Sequence, residues 1–85
     1  MMVNYKLSFK AYSILKKIDF SEMKGDLILN DSDNSFSVTE SKLRIMQAII
    51  NEEIVGEGMD NQETVNSYGI KLYELYDEIL DRIEA

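Results

Sequence analysis

The chain has 85 residues, 45% of them hydrophobic, with no cysteine, histidine, proline or tryptophan and a formal charge of −7. This length allows one domain, residues 1–85, around one modest core, and the missing residue types exclude disulfides, thiolate zinc sites and the commonest general base. The acidic balance repels phosphates, so direct nucleic-acid binding is excluded as well.

At the start, VNYKLSF alternates apolar and polar, the period of a strand, while Leu7, Ala11, Ile14, Leu15 and Ile18 keep helical spacing. The reading is a strand over residues 3–7, short or absent, and a helix over 9–18 with Ser8 as N-cap. Gly25 then opens DLIL, and FSVT follows across a polar loop. Pairing the two puts Leu27, Leu29, Phe36 and Val38 on one face and Ser35, Ser37 and Thr39 on the other. Two strands alone are marginal in water, so this hairpin needs helices beneath it or a third strand beside it.

From residue 40 to 55 the period becomes helical, with Leu43, Met46, Ile50 and Ile54 in one stripe, Thr39 as N-cap and Gly56 as stop. GEGMD turns the chain, and Asp60 with Glu63 resembles a capping box for a last helix over 61–84. Its apolar face is Val65, Tyr68, Leu72, Leu75, Tyr76, Ile79 and Ile83. At about 1.5 Å per residue such a helix would be roughly 36 Å long, too long for this domain unless Gly69 breaks it or its end projects. The fold expected is α+β: an N-terminal helix, a β-hairpin with a third, N-terminal strand left open, then two C-terminal helices packed on the small sheet.

The loop LILNDSDNSFSVTE tests a metal reading. On a calcium loop Asp31, Asp33 and Ser35 take the first, third and fifth places, but Phe36 stands where the turn needs glycine and Lys42 where the site needs a bidentate glutamate. The loop therefore reads as a turn in which Asn and Asp bond their own backbone, with no metal and no cofactor. No paired acid and base, phosphate loop or nucleophile arrangement appears elsewhere, so the chain is expected not to be an enzyme.

Charge gives the strongest functional signal. Residues 1–42 hold six lysines and six acids, whereas residues 43–85 hold ten acids against Arg44, Lys71 and Arg82. On the last helix Glu74, Asp77, Glu78 and Asp81 fall within about 100° of arc, with Glu52, Glu53, Glu57 and Glu84 adding to the field. The expected function is a small acidic interaction module that binds a basic protein partner by imitating a phosphate row. Its alternative is a structural or assembly subunit that self-associates through apolar residues off the main stripes, Ile45, Val55 and Ile70. In size, acidity and element order the chain is similar in a general way to the small inhibitors that phages make against host nucleases. That likeness implies inhibition of a nucleic-acid-binding host protein and assigns no residue. No stretch reaches the roughly 18 to 20 apolar residues of a membrane span, and the cysteine-free sequence suits the cytoplasm.

Overall fold

In the N-terminal segment and in the hairpin every second residue is apolar, and the sheet is built by setting those residues in register. The computed structural model of the chain describes residues 1–60 and 64–84. β1 (Met2–Lys6), β2 (Leu27–Asn30) and β3 (Ser35–Thr39) form an antiparallel sheet in the order β1-β3-β2. Val3 and Leu27 flank Val38, and Tyr5 and Leu29 flank Phe36. Val3, Tyr5, Leu27, Phe36 and Val38 carry the core, with Phe36 and Val38 fully buried and the Tyr5 ring 5.7 Å from that of Phe36, while Leu29 on the same face is 37% exposed at its edge. The other face is polar at its centre, where Asn4 Nδ2 donates to Ser37 Oγ at 3.0 Å. The third strand is therefore present, and it supplies what a lone hairpin lacks.

α1 (Phe9–Leu15) starts as its sequence indicates: Ser8 is extended, and its Oγ accepts from Ala11 N at 3.2 Å. It ends three residues earlier than expected. Lys17 N and Ile18 N bond back to Ile14 O and Leu15 O, a tighter winding that turns Ile18 into the core instead of continuing the helix. A 3₁₀ turn, Ser21–Met23, buries Met23, and Gly25 enters β2 at φ +89°, a conformation that suits glycine.

α2 (Leu43–Glu57) buries Met46, Ile50 and Ile54 as its stripe predicts, but both ends differ from expectation. Thr39 remains in the sheet, with its N–H bonded to Asp26 O and its Oγ1 to Asp26 Oδ1, and a 3₁₀ turn, Glu40–Lys42, leads into the helix. Gly56 lies inside the helix and Gly58 caps it. The reason is steric: a Cβ on Gly58 would stand 2.7 Å from Gly69 Cα and 2.8 Å from Ile54 O, whereas one on Gly56 would meet nothing within 4 Å.

Two short strands, β4 (Met59–Asp60) and β5 (Thr64–Val65), pair before α3 (Ser67–Glu84) begins. The expected start at residue 61 is thus corrected: Asp60 and Val65 belong to strands, and Glu63 lies outside the described residues. Asn66 is the N-cap, its Oδ1 accepting from Gly69 N at 2.8 Å while its Nδ2 donates to Glu57 O at 3.1 Å. One side chain so serves the end of α2 and the start of α3. The length problem is solved by this late start, giving a helix of about 27 Å. Gly69 neither breaks nor kinks α3; it is buried in the first turn, where Gly58 approaches. Leu72, Leu75 and Ile79 are buried, and Tyr68, Tyr76 and Ile83 pack against the same core. Among the described residues no helix is long and apolar enough to cross a membrane.

The two glycines of α2 make a test. Gly56→Ala is expected to stabilise the protein by roughly 0.5–1 kcal/mol, because alanine suits a helix interior better. Gly58→Ala is expected to cost about 2 kcal/mol or more through the clash with Gly69, and Asn66→Ala about 1 kcal/mol or more through loss of the cap. Urea unfolding midpoints measure all three.

Candidate functional site

α3 is amphipathic, so burying Leu72, Leu75 and Ile79 sends its carboxylates outward. Glu74, Asp77 and Asp81 are exposed and make no hydrogen bond or ion pair among the described residues. Glu78 differs from them. Its Oε2 accepts from Ser8 N at 2.6 Å and its Oε1 from Ser8 Oγ at 2.9 Å. This is the second half of a capping box, supplied from a distant helix rather than from the first turn of α1. One turn on, Arg82 Nε donates to Lys6 O at 2.8 Å. The acidic stripe is therefore a clamp residue plus a ridge of three free carboxylates.

The apolar candidates separate in space. Ile45 and Val55, 41% and 49% exposed, lie on the outer side of α2. Ile70, 53% exposed, stands instead at a groove of about 850 Å³ between α1 and α3. Phe9 lines that groove too and is 74% exposed. Sequence reasoning passed over it, although it falls two residues before Ala11 and so about 160° from that buried residue around the helix.

Asp31, the first residue of the loop set against a calcium pattern, is bonded within the chain. Its Oδ1 accepts from the buried Tyr12 hydroxyl at 2.6 Å and its Oδ2 lies 3.4 Å from Lys16 Nζ. The carboxylate pins the hairpin loop to α1, and these two partners, Tyr12 first, hold its pKa below the ordinary value. Asn30 Oδ1 accepts from Ser32 N and Oγ, Asp33 Oδ1 accepts from Ser35 Oγ, and Asn34 takes φ 57°. These are the local bonds expected of an Asn- and Asp-rich turn. Ser35, on the polar side of β3, is buried beneath that loop. Among the described residues no three Asp or Glu converge as a metal site.

Tyr68 repeats the arrangement of Tyr12, its hydroxyl donating to Glu53 Oε2 at 3.1 Å. Burial first, and then the neighbouring carboxylate, pushes both phenols up to about 12. No family model matches the chain, and neither the curated proteins nor the solved structures contain a match to it.

Two outcomes check these assignments. Glu78→Ala is expected to lower stability by about 1–2 kcal/mol, because Ser8 N loses a charge-assisted bond. Asp77→Ala and Asp81→Ala are expected to stay within about 0.5 kcal/mol of the parent. The phenols set the alkaline limit. Both are raised, so the unfolded chain releases these protons first, and stability is full below pH 10 and lost as pH rises towards about 12. Phenolate absorbance should show two late-ionising tyrosines, one of which Tyr12→Phe removes.

Proposed function

We propose that this chain is a non-enzymatic interaction module that binds a basic protein through the ridge of α3. The observation that carries the reading is that Glu74, Asp77 and Asp81 have no partner among the described residues and lie along one helix whose opposite face buries Leu72, Leu75 and Ile79. Buried residues set the rotation of that helix, so the backbone positions of the three carboxylates form a fixed row and a partner has only their side chains to order. Tyr73, 42% exposed, lies beside the row and offers an amphipathic anchor of the kind enriched at interfaces. The specific form proposed is inhibition by charge mimicry, with the ridge occupying the nucleic-acid groove of a host protein. Catalysis has less support, because Glu78 and Asp31 are committed to Ser8, Tyr12 and Lys16. A second reading, assembly into a larger particle, draws on exposed Ile45 and Val55 on α2.

Immobilised protein is expected to retain nucleic-acid-binding proteins from a lysate and to release them at moderate salt. The double variant Asp77→Lys, Asp81→Lys is expected to bind the recovered partner at least about tenfold more weakly with its fold intact. Retention that is indifferent to salt and to both reversals overturns the charge-mimic reading. Loss on Ile45→Lys or Val55→Lys would support assembly instead.

A further inference from the structure

We draw no further inference here: the strongest candidate, the groove between α1 and α3 along which Phe9 and Ile70 stand exposed, carries both Lys10, Lys17 and Lys71 and Glu74 and Glu78 around its apolar floor, and nothing in the structure shows what covers it.

Discussion

Glu78 and Arg82, one turn apart on α3, hold the junction between β1 and α1, and the rest of the molecule is arranged around that contact. Ser8 must present its N–H and its hydroxyl at the start of a seven-residue helix, too short to be stable alone. Glu78 satisfies both groups from a position 70 residues away. With Lys6 held by Arg82, the end of β1 is fixed in the same stroke, and β1 can then close the sheet beside β3. Asn66 does the corresponding work at the other end of α3, tying it to α2. α3 is thus fastened near both ends, which fixes the backbone from which its outward side chains project.

Much of this fold is legible in the sequence wherever a local rule decides. Alternation in FSVT assigns Phe36 and Val38 to the buried face, Ser8 is a true N-cap, and the stripe Leu72, Leu75, Ile79 identifies the buried side of α3, whereas Leu29, expected beside Phe36, stands exposed at the sheet's edge. What is not legible depends on partners far along the chain. Gly56 and Gly58 are equivalent to any local rule, and only the approach of Gly69 selects Gly58 as the cap. Asp60 and Glu63 have the spacing of a capping box, but Asn66 can bond the ends of two helices at once and fixes the later start. Thr39 has the chemistry of an N-cap, yet Asp26 across the sheet claims its hydroxyl.

The acidic residues show the same division between local pattern and distant partner. Glu74, Asp77, Glu78 and Asp81 are indistinguishable by helical spacing, yet one of them is a structural clamp. Asp31, first residue of the loop set against a calcium pattern, accepts from the Tyr12 hydroxyl and lies beside the Lys16 ammonium, fixing the loop to the first helix. In both cases a carboxylate is used where a neighbouring element must be fixed, and its free neighbours are left facing water. Counting charges along a helix therefore overstates what a partner can use, and the usable set is the one left after internal bonds are subtracted.

That subtraction constrains how charge mimicry could work. Residues 74, 77 and 81 span seven positions, about 10 Å of helix, or one charge every ~5 Å. A single DNA strand carries one phosphate per about 3.4 Å of axis, and a duplex carries two such rows. Under the proposed charge mimicry the ridge would therefore match only a short, slightly sparse piece of one strand, a weak decoy for a groove shaped to a duplex.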